Sequence, residues 1–111
     1  MTDCIFCKIT QKKMPADVVE ETEELLIFED IMPKAPVHLL VVPKKHIMSV
    51  RDMDKDDVGL MGRLIFAARD AAEKFNLEGY KLLFNVGRKG GQIVDHIHLH
   101  ILGGWNENQA G

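Results

Sequence analysis

Three histidines, His96, His98 and His100, alternate with Ile97, Leu99 and Ile101 in the run Asp95-His96-Ile97-His98-Leu99-His100-Ile101-Leu102. In an extended strand this period predicts three imidazoles on one face and three aliphatic side chains on the other. At a rise of about 3.4 Å per residue, neighbouring rings would stand roughly 7 Å apart. Imidazole can be nucleophile, base, acid or metal ligand near neutrality. Two chemistries suit the pattern. One ring can attack an electrophile such as phosphorus while its neighbours hold its tautomer and stabilise charge. Alternatively, two or three rings can converge on a metal ion. A ladder of merely exposed polar residues fits less well, because the alternation is strict and the chain holds only five histidines.

A second candidate group is Cys4-Ile5-Phe6-Cys7. Two thiolates three residues apart can grip one zinc ion, but a tetrahedral site needs two more ligands, and none lies in the next thirty residues. His46 and one member of the histidine run are the candidates. A thioredoxin-type role is weaker with Ile and Phe between the cysteines; a pair of buried reduced thiols is the plain alternative. Gly90-Gly91-Gln92 would let backbone amides approach a phosphate. Asn85 and Asp30 fall at the ends of predicted strands.

The elements that must position these residues follow from periodicity. Cys4 to Lys13 has the spacing of a short helix ending before Pro15. Val18–Glu21 and Leu25–Glu29 flank Thr22-Glu23-Glu24 as a hairpin. Pro33 and Pro36 make a loop, and Val37–Val42, apolar on both parities, reads as a central strand stopped by Pro43. Asp54 to Phe75 reads as a long helix capped by Asp54, with Val58, Met61, Ile65, Ala68, Ala72 and Phe75 on its inner face and Gly79 supplying the break. Tyr80–Val86 is a fourth strand, and Gly87–Gly91 a mobile turn into the histidine strand. The order helix, three strands, long helix, two strands predicts an α+β fold: an antiparallel five-stranded sheet with one long helix and a short N-terminal helix.

At 111 residues and 46% hydrophobic, residues 1–111 are expected to form a single domain. A net charge of −3 argues against a nucleic-acid surface. The pairs Lys12-Lys13, Lys44-Lys45 and Arg88-Lys89 are then solvated loop or strand-end residues. No apolar run is long enough to span a membrane, and no signal-peptide pattern is present, so a cytoplasmic protein without a structural disulfide is expected.

Taken together, Gly90-Gly91-Gln92-Ile93-Val94-Asp95-His96-Ile97-His98-Leu99-His100-Ile101-Leu102-Gly103-Gly104 resembles the signature of the histidine triad superfamily of nucleotide hydrolases and transferases. The Ile5–Ile9, Phe28–Ile31, Pro36–His38, Val42–His46 and Gly79–Asn85 blocks fall where that family's blocks fall. The Leu-Gly-Gly ending points to its small nucleoside phosphoramidate hydrolases rather than its dinucleoside polyphosphate hydrolases. The resemblance implies that His98 attacks the α-phosphorus of a purine nucleoside phosphoramidate or acyl-adenylate, giving a nucleotidyl-histidine that water resolves. It implies that His100 contacts phosphate and leaving group, that His38 and His96 orient the nucleophile, and that Asn85 supports the leaving-group side. Asp30 would accept from the ribose, Ile5, Phe6, Ile9, Phe28 and Ile31 would enclose the base, and Gly91, Gln92 and Ile93 would line the phosphate site.

It further implies a purine nucleotide such as AMP or an AMP conjugate as ligand, no organic cofactor, and a homodimer whose sheets join. In zinc-bearing relatives the equivalents of Cys4, Cys7, His46 and His96 form a structural metal site. Three positions depart from the family pattern: Ile93 where Ser is frequent, leaving only a backbone N–H for phosphate; Asp95 where an aromatic residue is common; and Trp105 where a basic residue is usual. These departures, with a C-terminal tail that often shapes specificity across the dimer, keep two alternatives open: a nucleotide-binding or zinc-stabilised interaction protein with weak activity, and a dinucleoside polyphosphate hydrolase.

Overall fold

The computed structural model describes residues 3–107. Its elements are α1 (Ile5–Thr10), β1 (Val18–Glu21), β2 (Leu25–Glu29), β3 (Val37–Pro43), α2 (Val58–Lys74), β4 (Tyr80–Leu83) and β5 (Leu99–Gly103), with short 3-10 turns at Val50–Asp52, Lys55–Asp57 and Arg88–Gly90. The sheet order is β1-β2-β3-β5-β4, every pairing antiparallel. The fold is therefore the expected α+β sandwich, with β5 inserted between β3 and β4.

Register assigns the two faces. Leu39 pairs with Ile101 and Val41 with Leu99, and these residues pack with Leu25, Ile27 and the α2 residues Leu64, Ala68 and Ala71. Leu40 pairs with His100 and His38 with Leu102; this opposite face joins Leu26, Phe28, Leu40 and Val42 to Phe6 and Ile9 of α1. One face is thus core under α2, and the other carries histidines beside α1.

Three local expectations are corrected. The inner face of α2 consists of Leu60, Leu64, Ala68, Ala71 and Ala72, whereas Val58 and Ile65 are 63% and 48% exposed. Apolar residues occupy more than one stripe of this helix, so 3–4 spacing alone admitted the wrong one. The helix ends before Gly79. Asn76 takes a left-handed φ of 56°, and the Leu77 and Asn76 amides donate to the carbonyls of Ala72 and Glu73, a Schellman cap with Asn as the left-handed residue. Finally, β5 begins only at Leu99, so His96 and His98 lie on the approach to the strand.

Asp54 caps the 3-10 turn that leads into α2 and forms a reciprocal capping box with Asp57. Four of the six residues in the basic pairs are ion-paired. Lys12 and Lys44 both clasp Glu21 at 2.6 and 2.7 Å, holding its carboxyl down at about 2. Lys45 pairs with the buried Asp57, and Arg88 with Asp95. No described helix is long and apolar enough to cross a membrane.

Candidate active site and metal centre

The nucleophile candidate is defined by what its other nitrogen does. His98 Nδ1 lies 2.7 Å from the His96 carbonyl oxygen. A carbonyl can only accept, so Nδ1 carries the proton and Nε2 carries the lone pair. The ring is 8% exposed and meets the Phe6 ring edge-on at 5.0 Å. Burial pushes its pKa down, which keeps the imidazole neutral and Nε2 unprotonated at neutral pH.

A second chain of bonds fixes His38 and His100. The Lys34 amide donates to His38 Nδ1 at 3.0 Å, so the neutral His38 ring carries its proton on Nε2. That nitrogen lies 2.9 Å from His100 Nδ1 and 3.4 Å from Asp30 Oδ2. His100 accepts on Nδ1, so its proton sits on Nε2, 3.3 Å from Asn85 Nδ2; an amide nitrogen cannot accept, so this tautomer pairs with Asn85 only with the amide turned to offer its oxygen. Burial, then the neighbouring imidazoles, push the His100 pKa down to about 4; burial also lowers that of His38. The His98 and His100 ring centres are 4.9 Å apart, closer than an ideal strand would put them, because His98 precedes the strand.

Asp30 Oδ1 accepts from the Met32 amide at 2.8 Å, closing an Asx turn at the end of β2. Phe6, Ile9 and Phe28 are buried in the α1 cluster, with Phe6 and Phe28 in edge contact at 5.6 Å. Ile5 is half-exposed at 38%, and Ile31 stands out at 84%.

The glycine loop is more committed than expected. The Gly91 and Gln92 amides donate to the carbonyls of Arg88 and Gly87. The Gln92 side chain is 2% exposed. It accepts from the Gly87 amide and donates to the carbonyls of Met48 and Val94. Gln92 therefore holds the loop shut. Among the described residues the Ile93 N–H has no acceptor, so of the amides from 91 to 93 it alone is free. Gly91 needs its glycine for a φ of +89°, and a Cβ there would sit 3.7 Å from Asn85, which places the loop against the histidine site.

Four side chains distant in sequence converge beside α1. Cys4 Sγ and Cys7 Sγ lie 3.3 and 3.6 Å from His96 Nδ1. His46 Nδ1 is 3.3 Å from Cys7 Sγ and 3.1 Å from His96 Nδ1. Tetrahedral ligands around zinc stand roughly 3.3 to 3.8 Å apart, given its bond lengths, so the set has the size of one such ion. His96 Nε2 donates to the Pro43 carbonyl at 2.8 Å, which turns the Nδ1 lone pair inward, the support a metal-bound imidazole normally has. The group can hold a metal. Asp30, His38 and His100 also converge, but the Lys34 amide occupies Nδ1 and leaves the proton on Nε2, so His38 cannot ligate there. Those three form a hydrogen-bond relay.

The spacing of histidines and cysteines pointed to Cys4, Cys7, His46 and the run His96, His98 and His100, while the roles of His38, Asp30 and Asn85 came from the family resemblance. The spacing did not show that His96 reaches His98 through its carbonyl rather than its ring, nor that His38 bonds His100. Arg88 and Asp95 were missed as a pair; the only signal was opposite charge on either side of the double glycine.

Comparison with known proteins agrees with this geometry. The family model described as scavenger mRNA decapping enzyme C-term binding matches residues 3–110. The crystal structure of a HIT family hydrolase from Legionella pneumophila superposes with a TM-score of 0.92 at 46% identity, covering 97% of this chain and 98% of that one. A HIT family hydrolase from Clostridium thermocellum gives 0.93 at 36% identity over 96% and 95%. Protein HitA of Neisseria gonorrhoeae is 42% identical over 93% of this chain and 97% of its own length. The chain belongs to the histidine triad (HIT) family.

Proposed function

We propose that this protein is a hydrolase of purine nucleoside phosphoramidates or acyl-adenylates, working through a nucleotidyl-histidine on His98. The observation that carries the reading is the His98 Nδ1–H bond to the His96 carbonyl, which leaves Nε2 as a lone-pair nitrogen. In the first step His98 Nε2 bonds to the α-phosphorus as the bond from phosphorus to the leaving nitrogen or oxygen breaks, a leaving amine taking the His100 Nε2 proton, which the attacking water restores in the second step. His100 Nε2–H and Asn85 face the phosphate and the leaving group. Water then cleaves the phosphorus–nitrogen bond to His98, releasing AMP and the free imidazole. Asp30 receives the ribose, and Ile5, Phe6, Ile9, Phe28 and Ile31 border the base.

Cys4, Cys7, His46 and His96 would hold zinc, whose four protein ligands make it structural. These four residues, with a metal bound, would tie α1 to the approach of β5. Association as a homodimer is supported by the position of β4 as the outer strand of the sheet among the described residues and by Phe66, 58% exposed on α2. The test of the chemistry is mass spectrometry of protein quenched during turnover of an AMP–amine conjugate. An AMP adduct mapped to His98 is expected; turnover with no adduct, or an adduct on another residue, would overturn the mechanism.

A further inference from the structure

The Arg88 guanidinium makes three bonds. Nη1 donates to the Gln92 carbonyl at 2.8 Å and to Asp95 Oδ1 at 2.8 Å, and Nη2 donates to Asp95 Oδ2 at 3.0 Å. Asp95 thus receives a bidentate clamp, and the clamp carries Arg88 onto one particular carbonyl. That carbonyl belongs to the Gln92–Ile93 peptide. In a planar trans peptide C=O and N–H point opposite ways, and no peptide here is cis. Holding the Gln92 oxygen on Arg88 therefore aims the Ile93 N–H away from Arg88. This is the amide that has no acceptor among the described residues, in a loop lying against Asn85 and, through it, His100.

We propose that Arg88 and Asp95 are positioning residues that lock the Gln92–Ile93 peptide so that the Ile93 N–H is presented to the phosphate of the nucleotide. This rests on the nucleotide reading above. The arrangement answers a specific need of this chain. Position 93 offers an exposed isoleucine with no hydroxyl, so the backbone donor is what remains for the phosphate. The loop containing it holds three glycines, whose backbone freedom opposes any fixed orientation. Arg88 does not itself touch phosphate in this scheme, because its charge is spent on Asp95.

The test is calorimetric titration of wild type, Arg88→Ala, Asp95→Ala and the double variant with AMP and with adenosine. Each single change is expected to weaken AMP binding about 5-fold, the worth of roughly one hydrogen bond to a charged group partly lost. The double variant should lose no more than either single, since both act through one peptide. Adenosine, which lacks the phosphate, should bind all four proteins within about twofold, and this separates positioning from general loosening of the site. If Asp95→Ala binds AMP as tightly as wild type or tighter, Arg88 acts by its own charge and the proposal fails. A parallel loss of adenosine also overturns it. Wild type binding neither ligand would instead overturn the nucleotide reading beneath it.

Discussion

The His96 carbonyl accepts the Nδ1 proton of His98 across 2.7 Å, while the His96 ring sits between the thiols of Cys4 and Cys7. One residue therefore belongs to both sites, the ring to the metal cluster and the backbone to the nucleophile's tautomer. Replacing His98 by alanine removes the attacking nitrogen and leaves His38, His100 and Asn85 in place. Turnover of an AMP–amine conjugate should fall by about 10³-fold or more, as for removal of other nucleophiles. AMP binding by calorimetry should largely survive. Retained turnover would place the attack elsewhere.

Metal content is the second measurable consequence. Elemental analysis should find about one zinc per chain, reduced in Cys4→Ser, since a four-ligand site deprived of one thiolate binds far more weakly. Because the cluster ties α1 to the approach of β5, the variant should also unfold about 10 °C lower, a shift that corresponds to roughly 2 kcal/mol in a domain of this size. A metal-free wild type with an unchanged melting temperature would remove the structural role.

The sequence made the order of elements legible because its turn signals are local: Pro33 and Pro36 mark the loop between β2 and β3, and Thr22-Glu23-Glu24 turns the hairpin. The four metal-binding candidates were legible too, because cysteine and histidine are scarce. The inward face of α2 was not. Val58, Ile65 and Phe66 make an apolar stripe as plausible as that of Leu60, Leu64 and Ala68, and only the sheet beneath decides between them. Nor was the use of the loop amides legible. It depends on Gln92 reaching the Met48 carbonyl 44 residues away, and on Arg88 finding Asp95. Of the C-terminal tail, Trp105 is described, with the Lys81 ammonium 5.2 Å from its ring centre, and residues 108–111 lie outside the described residues.

Acid should destabilise the fold through His100. Its pKa is depressed to about 4 by burial, against roughly 6.5 in the unfolded chain. Between those values the unfolded state binds more protons, so stability falls as pH drops from about 6.5 toward 4 and is fully present above that window. Urea midpoints measured across the window should decline for wild type and decline less for His100→Gln, which keeps the metal cluster intact. Equal slopes in the two proteins would show that His100 titrates alike folded and unfolded.

The fourth prediction concerns association. Ile65 and Phe66 follow Val58 by seven and eight residues, about two helical turns, which puts all three on one outward side of α2, and Val58, Ile65 and Phe66 are 63%, 48% and 58% exposed. Burying Phe66 alone would stabilise a dimer by about 1.5–3 kcal/mol from the removal of its ring from water. Analytical ultracentrifugation should give twice the protomer mass for wild type. Phe66→Asp would place a charge in that contact and should shift the protein to monomer at micromolar concentration while far-ultraviolet circular dichroism stays unchanged, since Phe66 faces away from the core. A wild type that sediments as a monomer would rule out the dimer. A Phe66→Asp variant that remains dimeric would leave the β4 edge as the surface that joins the two protomers.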